Sequence, residues 1–291
     1  MSLVTLQKIL SESIAKKYAV GAFNAIGPVA LYTEAILSAA EKKEVPIILQ
    51  VVEPMFADPH CDAYFHYLNN RLSASSVPVC LHLDHGSSFE VIMKGIHYGC
   101  TGVMLDASAK PLDENIAMTK KVVEAAHAAG VSVEAEIGHV GGSGPEGNLK
   151  GNWIDESAFT SAADAKYFYE QTGVDALAIA FGTVHGIYKG EPKLDLERLS
   201  AIREVIDIPI VMHGGSGMDA EKYREAIEHG CNKINFYTGM AMAGEQVMKD
   251  MFDKANGELI PFEFMLDGAQ NAIQEVVEHH LDIFGTCPLE K

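Results

Sequence analysis

The feature that most constrains this chain is an eightfold alternation of short apolar, β-branched runs with longer helical patterns. The runs are Tyr18–Phe23, Pro46–Val52, Val77–Leu83, Gly102–Leu105, Val131–Ile137, Ala176–Ala180, Ile208–Met212 and Lys233–Phe236. Between them lie stretches such as Asn115–Ala129, where Ile116, Val122, Val123 and Ala126 recur at helical spacing. This alternation is the pattern of a parallel sheet built from strand–helix units. Gly99, Gly130, Gly173 and Gly230 each stand a few residues before a run, where a helix ends left-handed and the chain turns inward. Eight units in series predict an α/β chain folded as a closed (β/α)8 TIM barrel, rather than an open sheet. No glycine-rich dinucleotide fingerprint follows the first run. With no linker or low-complexity segment, residues 1–291 are read as a single barrel domain. An extra C-terminal helix, Gly268–Phe284, should pack outside it. The longest unpatterned stretch, Gly138–Ser157, reads as a functional loop such as a lid.

Charge narrows the partners. The formal net charge is −18, with 40 acidic and 22 basic residues, which argues against nucleic acid and anionic membranes. A phosphorylated ligand must then be captured by local devices such as a metal, backbone N–H groups or one placed lysine. No apolar stretch is long enough to span a membrane, and Met1 to Tyr18 lacks the apolar core of a signal peptide. Five scattered cysteines without a CxxC pair read as reduced thiols in a cytoplasm. Histidines and carboxylates are therefore the expected metal ligands.

In such a barrel the active site lies at the C-terminal strand ends. Following the runs there are Asn24, Glu53, Asp84 with His85, Asp106, Glu136 with His139, His185, His213 with Gly214, and Asn235. His85, His185 and His213 are each followed by glycine and can supply the ligands of a catalytic zinc. The competing reading is three satisfied polar residues. His139 is the rival ligand, whereas His82, deeper in its strand, reads as a residue supporting the site from beneath. Gly214-Gly215-Ser216-Gly217, with Asn235 and Thr238 after the last strand, forms a turn suited to phosphate. Lys189 is a candidate charge for the same anion, or else an exposed lysine before the Gly190-Glu191-Pro192 turn.

The chain resembles the class II, metal-dependent fructose-bisphosphate and tagatose-bisphosphate aldolases. The resemblance rests on Val77-Pro78-Val79-Cys80-Leu81-His82-Leu83-Asp84-His85-Gly86, Val133-Glu134-Ala135-Glu136-Ile137-Gly138, Gly182-Thr183-Val184-His185-Gly186 and His213-Gly214-Gly215-Ser216-Gly217. It implies zinc on His85, His185 and His213, with Asp84 as the acid/base and Asn235 orienting the enediolate. It also implies a dihydroxyacetone phosphate subsite from Gly186, Gly214 to Ser216 and Asn235 to Thr238, which takes in Phe236 and Tyr237. Asp106 and Glu136 match carboxylates that hold a second divalent metal, or an alternative position of the first, in some members; a monovalent cation is a further expectation. A phosphorylated sugar is the implied small-molecule partner, and a homodimer or homotetramer the implied assembly.

Three departures lie on the substrate side. Gly144 stands where relatives carry a loop glutamate, for which Glu146 is the candidate substitute. Tyr237 replaces a small or acidic residue. Ile260-Pro261-Phe262-Glu263 replaces an Asp-Pro-Arg segment whose arginine helps hold the distal phosphate. A ketose 1-phosphate therefore joins the bisphosphates as an expected substrate. Rival readings are a Schiff-base aldolase using Lys233, a metal-dependent hydrolase and a non-catalytic sugar-phosphate sensor. The hydrolase reading is weakened by the lack of a His-x-His pair on the first strand.

Overall fold

A computed structural model describes residues 2–140, 158–186, 188 and 190–290. The strands are β1 (Val20–Asn24), β2 (Ile47–Val52), β3 (Val79–Gly86), β4 (Gly102–Leu105), β5 (Ser132–Ile137), β6 (Ala176–Ile179), β7 (Ile210–Met212) and β8 (Cys231–Phe236). All pair in parallel and in sequence order, and β8 closes on β1 with Val20 opposite Lys233 and Ala22 opposite Asn235. The result is the eight-stranded TIM barrel expected from the alternation.

Helices α1 (Leu6–Leu10) and α2 (Ser13–Lys16) precede the first strand. Then follow α3 (Val29–Lys43), α4 (Cys61–Ser73), α5 (Phe89–His97), α6 (Leu112–Ala128) and α7 (Ala162–Thr172). The last four are α8 (Leu196–Arg203), α9 (Ala220–Glu228), α10 (Thr238–Ala255) and α11 (Phe262–Phe284). Ser88, Ser161, Asp195 and Asp219 each start a helix by accepting a backbone N–H with a side-chain oxygen.

Strand periodicity sorts the side chains into two cores. Outward residues such as Phe23, Leu49, Leu81, Val103, Val133, Leu177, Ile210 and Ile234 pack beneath the helices. Inward residues Val20, Ala22, Ile48, Cys80, Ala176, Ala178 and Val211 meet Leu6, Ile9 and Leu10 of α1, which plugs the N-terminal mouth. The barrel is thus closed below by apolar packing, and its polar residues gather at the other end.

Two boundaries are corrected. The last helix begins at Phe262 rather than Gly268, because Pro261 supplies a natural start, and it lies along α3 and α10. The third strand continues through Asp84, His85 and Gly86 instead of ending at Leu83. Among the described residues, no helix is long and apolar enough to cross a membrane.

Candidate active site

The extension of β3 decides how two adjacent residues reach the same site. Neighbours on a regular strand point to opposite faces. Here the register with β4 slips between Leu83 and Gly86, and His85 adopts a left-handed φ of 49°. This bulge turns His85 toward the barrel mouth that Asp84 already faces, and His85 Nε2 comes within 3.9 Å of Asp84 Oδ1. Strained backbone at a non-glycine residue is characteristic of functional positions.

His85, His185 and His213 converge there. Each offers a ring nitrogen, and the three lie within 4.8 Å of one another. The rings stand edge to face, with centroids 4.6 Å apart for His85 and His213, 5.2 Å for His85 and His185, and 5.7 Å for His185 and His213. His85 Nε2 and His213 Nδ1 approach to 2.9 Å, and His185 Nε2 is buried without a hydrogen-bond partner among the described residues. Nitrogens gathered this way around a common point are what a tetrahedral ion needs.

Electrostatics favours the same occupant. Burial disfavours a charged His85, yet Asp84, Asp106 and Glu136 outweigh it and raise its pKa to about 10. Burial and the charge on His85 lower His185 to about 4, and the same causes hold His213 well below the ordinary value. The site therefore draws positive charge to its centre while leaving two imidazoles neutral with lone pairs to give. The residues present fit a zinc-like cation.

Carboxylates surround the cluster. Asp84 is buried, with Asn24 Nδ2 donating to Oδ2 at 2.9 Å and Asn235 Nδ2 donating to Oδ1 at 3.1 Å. Burial pushes its pKa up, but His85, His213 and Lys233 prevail and keep it below the usual carboxylate value. Asp106 Oδ2 meets His85 Nδ1 at 2.8 Å, and its Oδ1 accepts from the Ser108 hydroxyl and N–H. His85, Asp106 and Glu136 form a second group of possible ligands within 4.8 Å. Glu136 differs from its neighbours: burial, then Asp106, raise it to about 8.

The glycine turn after β7 is held by two tyrosines that local sequence did not single out. Tyr188 donates its hydroxyl to the Gly214 carbonyl at 2.8 Å and accepts from Val184 N–H at 3.1 Å. The hydroxyl of Tyr223, on α9, donates to the Gly215 carbonyl. Gly214 needs its glycine twice over: φ is 66°, and a Cβ would lie 2.3 Å from the Val184 carbonyl oxygen. Ser216 accepts the Tyr237 N–H at 3.1 Å, joining the turn to the start of α10. Thr238 is the first residue of that helix, and Gly186 is buried behind His185.

Not every candidate reaches the site. The Phe236 side chain points outward, packing on Phe23 and on His280 at a centroid distance of 3.9 Å, so only its backbone faces the mouth. The reason is strand parity: Lys233 and Asn235 point in, hence Phe236 points out. His139 is exposed and joins neither ligand group. Tyr237 packs against Tyr32 of α3 at 5.9 Å. Glu146, Lys189 and the substitution at Gly144 lie outside the described residues.

Comparison with known proteins agrees with this architecture. The family model described as fructose-bisphosphate aldolase class-II matches residues 4–287. A fructose-bisphosphate aldolase of Geobacillus stearothermophilus is 39% identical over 291 residues, covering 98% of each chain. A 6-phospho-5-dehydro-2-deoxy-D-gluconate aldolase of Bacillus velezensis is 40% identical, over 99% of this chain and 97% of its own. The crystal structure of the YdjI aldolase from Escherichia coli K12 superposes with a TM-score of 0.84 at 28% identity, covering 98% of both chains. With the barrel, the three converging histidines and a match over almost the whole length, the chain belongs to the class II fructose-bisphosphate aldolase family and is an aldolase, a carbon–carbon lyase.

Proposed function

We propose that this aldolase reversibly cleaves a ketose phosphate or bisphosphate into dihydroxyacetone phosphate and an aldehyde, using zinc held by His85, His185 and His213. The observation that carries the reading is the meeting of that histidine cluster, an ionised Asp84 and a glycine turn at one barrel mouth. When bound, the cation supplies Lewis-acid polarisation of the carbonyl next to the breaking bond. Asp84 accepts the proton of the hydroxyl that becomes the aldehyde and returns it in condensation. Asn24 and Asn235 fix both its oxygens, so the basic lone pairs point where the hydroxyl must sit. Asn235 also borders the enediolate and orients it.

Phosphate binding falls to backbone. The Gly215 N–H is engaged by the Asn235 carbonyl at 3.2 Å. The neighbouring amides of Gly186, Gly214 and Ser216 and the first turn of α10 therefore receive the anion, a helix N-terminus favouring negative charge. In this reading Lys189 adds the cationic contact and Glu146 handles the proton at the enediolate carbon. Asp106 and Glu136 offer the cation an alternative position or a second ion its ligands. Working conditions are a reducing cytoplasm, consistent with five free thiols, and a homodimeric or homotetrameric assembly.

The aldehyde half stays open to variation. The two named relatives act on compounds that share a phosphate beside a ketone, yet one ends in phosphate and the other in carboxylate. This chain lacks the Asp-Pro-Arg arginine and presents exposed Glu263 nearby in sequence. A retro-aldol screen of ketose mono- and bisphosphates, with and without chelator, tests the reading. Release of dihydroxyacetone phosphate that stops with chelator and returns with zinc is expected; no turnover of any of them leaves a non-catalytic sugar-phosphate sensor. The Schiff-base alternative is countered by Lys233, whose ammonium is buried in an ion pair with Glu134. Substrate-dependent borohydride trapping on Lys233 would restore it.

A further inference from the structure

Beneath the histidine cluster lies a fully buried ion pair that the proposed chemistry does not use. Lys233 Nζ stands 2.9 Å from Glu134 Oε2, and both side chains have no solvent exposure. Glu134 Oε1 accepts from His213 Nε2 at 2.9 Å, and Lys233 donates to Asn235 Oδ1 at 2.6 Å. Asn235 in turn donates to Asp84. One unbroken chain, His213–Glu134–Lys233–Asn235–Asp84, thus joins a ligand of the cluster to the proton carrier. Burying such a pair brings at best a small net gain in stability, since desolvation of both ions offsets their attraction. A hydrophobic pair of similar size would fill the space at least as well.

We propose that Lys233 and Glu134 are positioning residues that set which atoms His213 and Asn235 turn toward the substrate. Donor and acceptor capacity decides the orientation of both groups. An ionised carboxylate only accepts, so Glu134 requires the His213 proton on Nε2 and leaves the Nδ1 lone pair facing His85 and His185. An ammonium only donates, so Lys233 selects the Asn235 carbonyl oxygen and forces the NH2 group toward Asp84. Each ion thereby removes one rotational or tautomeric ambiguity at the site, and each neutralises the other. Barrel geometry makes this possible: Glu134 from β5 and Lys233 from β8 point inward at the same depth, one layer below Asp84 and Asn235. Gly102 keeps that layer open, because a Cβ there would lie 2.7 Å from His82 Nδ1.

The inference rests on the metal-dependent reading, and the test separates the two. Full-length protein is stripped of metal and titrated with Co2+, following the visible ligand-field bands and competition with a chromophoric chelator. Glu134→Gln is expected to shift the bands and weaken Co2+ binding by roughly 10- to 100-fold. Lys233→Met is expected to lower kcat by about tenfold or more, leave KM near its original value, and add little further loss in an Asn235→Ala background. If either single variant fails to fold, the neutral double variant Glu134→Gln/Lys233→Met, which leaves no unpaired ion, carries both measurements. A folded double variant with unchanged Co2+ bands, unchanged affinity and unchanged kcat overturns the positioning role. Wild-type protein that takes up no Co2+, or a His213→Ala variant that binds it equally well, overturns the metal reading itself and the inference with it.

Discussion

Asp106 braces His85: its Oδ2 lies 2.8 Å from Nδ1 of that ring, which leaves Nε2 facing the other two histidines. A carboxylate in this position fixes the tautomer and raises the basicity of the opposite nitrogen. Asp106→Ala is therefore expected to weaken zinc binding by roughly 10- to 100-fold while leaving the barrel folded. Equilibrium titration against a chromophoric chelator measures it, and an affinity equal to wild type would show that His85 needs no brace.

Asp84 and His213 are expected to separate chemistry from metal retention. Asp84→Asn keeps the shape and one of the two amide contacts from Asn24 and Asn235 but removes the basic oxygen, so turnover should fall by about 10²- to 10⁴-fold with metal content preserved. His213→Ala should lose both. Metal analysis beside steady-state kinetics distinguishes them; near-normal turnover in Asp84→Asn would remove the proton-transfer role.

Tyr188 links the loop after β6 to the Gly214 carbonyl. Tyr188→Phe deletes one hydroxyl worth about 1 kcal/mol and loosens the turn that receives phosphate. The expected result is a KM several-fold higher for a phosphorylated substrate with kcat nearly unchanged. A fall in kcat with KM unchanged would place Tyr188 in the chemical step instead.

Acid stability should depend on His280 of α11, whose ring packs on Phe236, Phe284 and Tyr223. Burial is the main cause that lowers its pKa from the ordinary 6.5 to about 4. The unfolded chain takes up a proton there first, so stability falls as pH drops from 6.5 toward 4 and is unaffected by this group above 6.5. His280→Gln should reduce the loss of stability between about pH 6.5 and pH 4 by an amount on the order of 2 kcal/mol, seen as a shallower fall of Tm with pH. Parallel melting curves for the two proteins would refute the assignment.

Much of this was legible in the sequence because it depends on local periodicity. Eight apolar runs separated by helical patterns are enough to imply a closed parallel barrel, and barrel polarity then places whatever follows each run at one mouth. The histidine–glycine pairs, Asp84 and the glycine turn were therefore visible as strand-end residues. Convergence was not visible. Lys233 and Glu134 are 99 residues apart and meet only because β5 and β8 point both side chains inward at the same depth. Left-handed His85 could not be foreseen either, since alternation along a strand predicts that it and Asp84 point apart. The tyrosine hydroxyls on the glycine turn come from residues whose neighbours give no signal. Periodicity is a property of a few consecutive residues and survives in the sequence; donor–acceptor complementarity between strands depends on register and closure, which only the folded barrel defines.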